Sequence, residues 1–296
     1  MNTATPSVRT GYAYALITIL IWAGFIVVSR IGGKGSLTPF DIAALRTATA
    51  ALALSPWWLP RLLNPAKRQL TWQQSVTFAM LAGIIYPVLA YSGFFWAPAS
   101  HGAVLVSGLL PFFTTLLVWV ILRERPNSLL ALALVGIGIA VLLRESLSTT
   151  HSLGHGPSWV GDLLFIGAST MWGLFTVMLK RWKVRAFDVT LGVVATSALI
   201  YLPIYALLLP KHITTAPLHE IVLQAFFQGI IVVCCAMLTY TKAAEHLGAV
   251  RLAMLMALVP AVGTLLSVLI LGEPLTAPAA LGVALVSAGA LLRVLR

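Results

Sequence analysis

The chain has 296 residues, of which 59% are hydrophobic and only 9% charged. A soluble domain carries about 25% charged residues, so this composition excludes a water-soluble protein of this size, and the mean hydropathy of +0.96 agrees. The net charge of +11 does not signal nucleic acid, because the Lys and Arg residues sit in short loops between apolar runs.

Each run of about 20 apolar residues is long enough to cross a bilayer as a helix. Ten such runs are predicted, at 11–32, 39–60, 72–95, 98–122, 128–144, 159–181, 187–209, 218–242, 248–271 and 276–295. The first, from Gly11 to Ile31, is too long for a signal-peptide core and lacks a small-x-small cleavage site, so it is expected to remain as a span. Cys234 and Cys235 are neighbours inside one run and point in different directions on a helix, which disfavours a disulfide or a metal pair. With ten spans both termini share a side. That side holds fourteen of the 19 Lys and Arg residues, and the other holds only Arg30, Lys34, Arg46, Arg144 and Lys211. The positive-inside bias therefore places both termini in the cytoplasm.

The halves, 1–150 and 151–296, align. Trp22-Ala23-Gly24-Phe25 falls on Trp172-Gly173-Leu174-Phe175, Phe40-Asp41 on Phe187-Asp188, and Gly102-Ala103-Val104 on Gly248-Ala249-Val250. From Leu109 to Glu124 against Leu258 to Glu273, 8 of 16 positions are identical, among them Pro111/Pro260, Thr115/Thr264 and Glu124/Glu273. Five spans is an odd number, so the second copy enters the membrane the other way up. The predicted fold is all-α, ten transmembrane helices as two inverted five-helix repeats, an arrangement that recurs in secondary transporters.

The central Trp of each first helix, and the Pro, Thr-Leu-Leu and Glu of each fourth helix, resemble the EamA-type drug/metabolite transporter superfamily over nearly the whole chain. Within it the chain is similar to the YddG-type bacterial amino-acid exporters. The resemblance implies a basket-like bundle around a central cavity lined by the first, third, fourth, sixth, eighth and ninth helices, in a bacterial inner membrane.

All eight carboxylates lie near span ends, and no acid/base pair, metal cluster, P-loop or hydrolase motif occurs. No enzyme, cofactor or metal is expected. The absence of a mid-span carboxylate also weakens a proton-relay reading. Trp22 and Trp172, at matched mid-span depth, either pack or line a pocket. Tyr86, Tyr91 and Tyr240 each need a partner for a buried hydroxyl. Ser107, Thr114 and Thr115 face a site or bond back to their own helix. His101, at the start of the fourth helix, either meets solvent at the outer surface or binds an anion there. Arg251 and Glu245 are candidate gate charges at the inner face, and Arg46 either pairs with Asp41 or snorkels. Pro111 and Pro260 would let the fourth and ninth helices bend. Small-residue rows around Gly136 and Gly282 read as scaffold or a dimer surface.

The expected function is alternating-access export of small metabolites, amino acids first, by a monomer or homodimer that contacts its substrate and the lipid bilayer and binds no nucleic acid. Export of drugs by the same fold, or a membrane scaffold that transports nothing, are the alternatives.

Overall fold

The computed structural model describes residues 7–64, 66, 68–124, 129–148 and 156–295, with the side chains of 111, 129–132, 148, 249–250 and 293–295 excepted. Described in chain order, the helices are α1 (Val8–Lys34), α2 (Pro39–Ala53), α3 (Ser55–Leu63), α4 (Trp72–Trp96), α5 (Ala99–Leu122), α6 (Leu129–Ser148), α7 (Ser158–Trp182), α8 (Ala186–Leu208), α9 (Leu218–Leu247), α10 (Arg251–Leu271) and α11 (Ala277–Leu295). There is no strand among the described residues. Seven of these helices, α1, α4, α5, α7, α8, α9 and α10, are long and apolar enough to cross a membrane.

Local chemistry sets the helix ends. Thr38 and Asp41 form a reciprocal capping box at the start of α2, with Pro39 in the first turn. The Asp41 carboxylate also accepts hydrogen bonds from Tyr205 Oη (2.5 Å) and the His212 amide (2.9 Å), which ties α2 to the far end of α8. At Leu54 the chain turns into a second short helix that carries Pro56 and Pro60, so the predicted span 39–60 is two pieces. Arg123 closes α5 and Gly272 closes α10, both in the left-handed region at φ 57° and 65°. These two positions fall opposite each other when the halves of the sequence are aligned.

Helix packing comes in matched sets. α1 lies on α9 and α4 lies on α7; α1 also lies on α10, as α5 does on α7; α2 lies on α9 and α4 on α8. α6 and α11 pack along each other at the side. A Cβ on Gly138 would meet the Gly282 carbonyl at 3.2 Å, so the two small-residue rows face each other within one chain. Their expected use as scaffold is thus realised internally.

Two helices are broken. α5 widens to π-helical turns over Ala103–Gly108 and restarts at Leu110. α10 stops at Met256 and restarts at Val259. In both, proline sits in the first turn of the new segment and has no N–H to offer the carbonyl four residues earlier, that of Ser107 or Met256. The side chain of Pro111 itself lies outside the described ones. Further π-helical stretches occur in α4 (Ala79–Ile85) and α9 (Ala225–Cys235). π-turns insert extra residues at the cost of poorer hydrogen bonding and concentrate at functional positions.

The main core fills one half of the bundle, where Phe94 meets Phe165 at 4.7 Å and Phe25 at 6.2 Å between ring centroids. The end beyond it is closed by two buried polar clusters. Arg30 Nε donates to Glu273 Oε1 at 2.7 Å while its Nη1 donates to the Phe94 carbonyl at 2.5 Å. Glu273 also accepts from the Ala99 amide at 2.8 Å and pairs with Lys34 at 3.0 Å. Beside it, His101 Nδ1 lies 2.9 Å from Asp162 Oδ1, Ser146 donates to the same carboxylate, and Glu145 stands 3.9 Å from His101 Nε2. At the opposite end the ion pairs Lys180–Glu124 and Lys242–Glu245 are exposed.

Candidate functional site

Below the closed end lies a cavity of about 540 Å³. Its walls come from α1 (Trp22, Phe25), α2 (Arg46), α4 (Tyr86), α5 (Val106 to Thr114), α7 (Trp172, Thr176), α9 (Val232, Tyr240) and α10 (Ala253 to Pro260). Both helix breaks therefore face it. Backbone freed by a break needs another partner inside an apolar bundle, and Ser169 of α7 supplies one, donating to the carbonyls of Leu105 (2.5 Å) and Val106 (2.8 Å).

Five aromatic side chains, Trp22, Phe25, Tyr86, Trp172 and Tyr240, stand in the lining. Trp22 stacks on Tyr240 with ring centroids 5.5 Å apart, and Trp172 meets Tyr86 at 4.8 Å. The first pair joins α1 to α9 and the second joins α7 to α4, which are the two matched packings described above. These are offset and tilted ring contacts of the kind the aromatic quadrupole favours.

Of the residues singled out in the sequence, Trp22, Trp172, Tyr86, Tyr240, Ser107, Thr114 and Pro260 come together on this cavity. Tyr91 does not line it. It is fully buried behind the wall, where its hydroxyl donates to Gln228 Oε1 at 3.1 Å. Thr115 is buried one position past the lining residue Thr114, because adjacent positions on a helix face different ways. His101 is neither solvated nor at the cavity: its imidazole is enclosed by Asp162, Ser146 and Glu145, three groups that only the folded chain brings together. Arg251 is exposed and stands outside the lining, and Glu245 is spent on its surface pair with Lys242 at 2.7 Å.

Two features were not foreseen. Arg46 does not pair with Asp41, whose oxygens are taken by Thr38, Tyr205 and His212. It reaches the cavity, with Nη1 3.5 Å from Tyr91 Oη. Behind it runs a buried chain: Tyr91 donates to Gln228, the Gln228 amide donates to Ser29 Oγ (3.2 Å) and Gln224 Oε1 (3.3 Å), and Gln224 donates to the Val28 carbonyl (2.9 Å). Two polar glutamines four residues apart in an otherwise apolar run were the available signal.

A bundle of long apolar helices, two of them broken beside a chamber with aromatic side chains in its wall, is the architecture of a multi-pass membrane transporter. The EamA-like transporter family model matches this chain twice, over residues 9–144 and 159–295, and the chain belongs to that family. It is 22% identical over 296 residues to an uncharacterised transporter of Clostridium kluyveri, covering 96% of this chain and 93% of the relative. A crystal structure of a protein at 22% identity superposes with a TM-score of 0.63 over 96% of this chain and 97% of that one, a likeness of fold. The chain is thus a transporter and not an enzyme, as its lack of an acid/base constellation led us to expect.

Proposed function

We propose that this protein is a secondary transporter that exports small amphipathic metabolites by alternating access, with the 540 Å³ cavity as its substrate site. The carrying observation is the pair of Trp–Tyr contacts, Trp22–Tyr240 and Trp172–Tyr86, on opposite walls of one chamber. Aromatic faces offer large apolar area and hold flat or branched apolar groups, and the hydroxyls of Ser107, Thr114 and Thr176 offer donors and acceptors beside them. Amino acids with large apolar side chains are the first solutes to try, in keeping with the resemblance to YddG-type exporters.

The same reading takes the fold as ten spans in two inverted five-helix repeats, 1–150 and 151–296. It is supported by the matched helix packings and by the equivalent breaks at Pro111 and Pro260. It also takes both termini as cytoplasmic in a bacterial inner membrane, on the distribution of Lys and Arg. The end closed by Arg30–Glu273 is then the outer one, and the chamber belongs to an inward-facing state.

Counterflow into proteoliposomes tests the function. If amino acids are the solute, vesicles loaded with each of the common amino acids in turn accumulate a labelled aromatic amino acid from outside. Trp172→Ala or Tyr240→Ala should lower that uptake about tenfold, the loss of roughly one aromatic contact in free energy. Uptake that none of the loaded solutes supports would end the amino-acid reading; unchanged uptake in both variants would move the site elsewhere.

A further inference from the structure

Among the described residues, Arg46 is the one cation on the cavity wall, and no carboxylate lines that wall. Among the described residues its guanidinium makes a single hydrogen bond, to Tyr91 Oη, and no ion pair. It lies seven residues into α2, about 10 Å along the helix from Pro39 at roughly 1.5 Å per residue. A guanidinium stays protonated at any physiological pH, and an unpaired charge at such depth is disfavoured unless something completes it. Structural arginines in this same chain show the contrast. Arg30 is held by Glu273 and a carbonyl, and Arg61 by Asp188 at 3.2 Å.

Arg46 also has a built support. Tyr91 can receive its N–H because the Tyr91 hydroxyl proton is committed to Gln228, and Gln228 is fixed in turn by Ser29 and Gln224. The chain of donors runs in one direction, away from the cavity. It orients the guanidinium by one nitrogen and leaves other N–H groups of the fork for a ligand.

We infer that the transported solute is an organic monoanion, an amphipathic carboxylate whose charged group is held by Arg46 and whose apolar body lies between the Trp–Tyr pairs. This rests on the cavity being the transport site; it narrows the class of small amphipathic metabolites to monoanions and sets them ahead of the zwitterionic amino acids. A zwitterion would bring an ammonium group into a chamber with a fixed positive charge and no carboxylate to receive it. A lipophilic cation would be repelled outright.

Binding of labelled 3-phenylpropionate to the purified full-length protein, with unlabelled competitors, tests this. The acid should compete with itself at least about tenfold better than 3-phenylpropanamide, which keeps the shape and loses the charge, or than phenylalanine, which adds the ammonium. Tetraphenylphosphonium should not compete. Arg46→Gln should abolish binding, and Arg46→Lys, which keeps the charge and loses the planar fork, should retain part of it. The competitor series uses the unaltered protein, so misfolding of a variant cannot mask the answer. Equal competition by acid and amide, or unchanged binding in a monodisperse Arg46→Gln protein, overturns the inference. Phenylalanine binding as tightly as the acid, still dependent on Arg46, overturns the monoanion class and leaves amino-acid export standing. Absence of binding by any of these solutes overturns both readings.

Discussion

Glu273 carries more of the closed end than any other single side chain, since it meets Arg30, Lys34 and the Ala99 amide together. Burial alone would raise its carboxyl pKa, but the hydrogen bond and charge of Arg30, with help from Ala99 and Lys34, hold it below the ordinary value of 4.5. A carboxylate with a depressed folded pKa adds stability that is present above its unfolded value and fades as pH falls through the folded one. The thermal midpoint of the purified protein should therefore be flat in this contribution at neutral pH and drop on acidification below 4.5. Glu273→Gln should remove that acid step and cost about 3 kcal/mol at neutral pH, because Arg30 is left buried without its anion. At this scale the sequence was a partial guide. The depth of Trp22, Trp172, Tyr86 and Tyr240 in apolar runs was legible, and all four reach the cavity. Arg46 and His101 were misjudged for one reason, that a side chain's partner across the bundle has no signature in its own run. Asp41 looked like the neighbour of Arg46, yet Tyr205 and His212, more than 160 residues on, claim it.

Among the elements, α1 and α4 meet where glycine permits it. A Cβ on Gly33 would stand 2.4 Å from the Phe94 carbonyl, the same carbonyl that accepts from Arg30. Gly33→Ala should force the helices apart and lower stability by about 1–3 kcal/mol, as overpacking of a close contact does. Gly136 in α6 has open space around its Cβ position, so Gly136→Ala should instead stabilise by about 0.5–1 kcal/mol through helix propensity. Thermal unfolding of the two variants side by side distinguishes a packing glycine from a merely permissive one. The breaks in α5 and α10 were half legible. Proline marked where each helix would yield, but π-helical turns carry no residue signature, and that the breaks face one chamber became visible only when the helices were assembled. Hydropathy gave the long apolar helices well. It joined α2 and α3 into one span because Leu54, where they part, is as apolar as its neighbours.

For the whole molecule, the chamber borders the half of the bundle opposite the Arg30–Glu273 closure, so its access should be one-sided. With Cys234 and Cys235 replaced by serine, Ser107→Cys should react with a membrane-impermeant maleimide applied from one face of the membrane only, the cytoplasmic one on the proposed orientation, and Ser100→Cys at the closed end should not react from the other. Adding Glu273→Gln should reverse the pattern in part, raising outside labelling at position 100 as the closure loosens. Labelling at both positions that ignores the Glu273 change would contradict alternating access. Trp22 and Trp172, which fall opposite each other when the halves of the sequence are aligned, each meet a tyrosine ring at the chamber.

The solitary charge of Arg46 has a consequence for energy coupling. A fixed arginine stays in the wall while its ligand leaves, so a bound monoanion takes its own negative charge across the bilayer. Each elementary charge crossing 100 mV is worth about 2.3 kcal/mol, which sustains a roughly 50-fold concentration ratio. Where the cell interior is negative, that voltage expels anions. On the proposed reading, such an exporter would draw its driving force from the membrane potential, in keeping with a chamber that, among the described residues, offers no carboxylate to carry a proton or sodium.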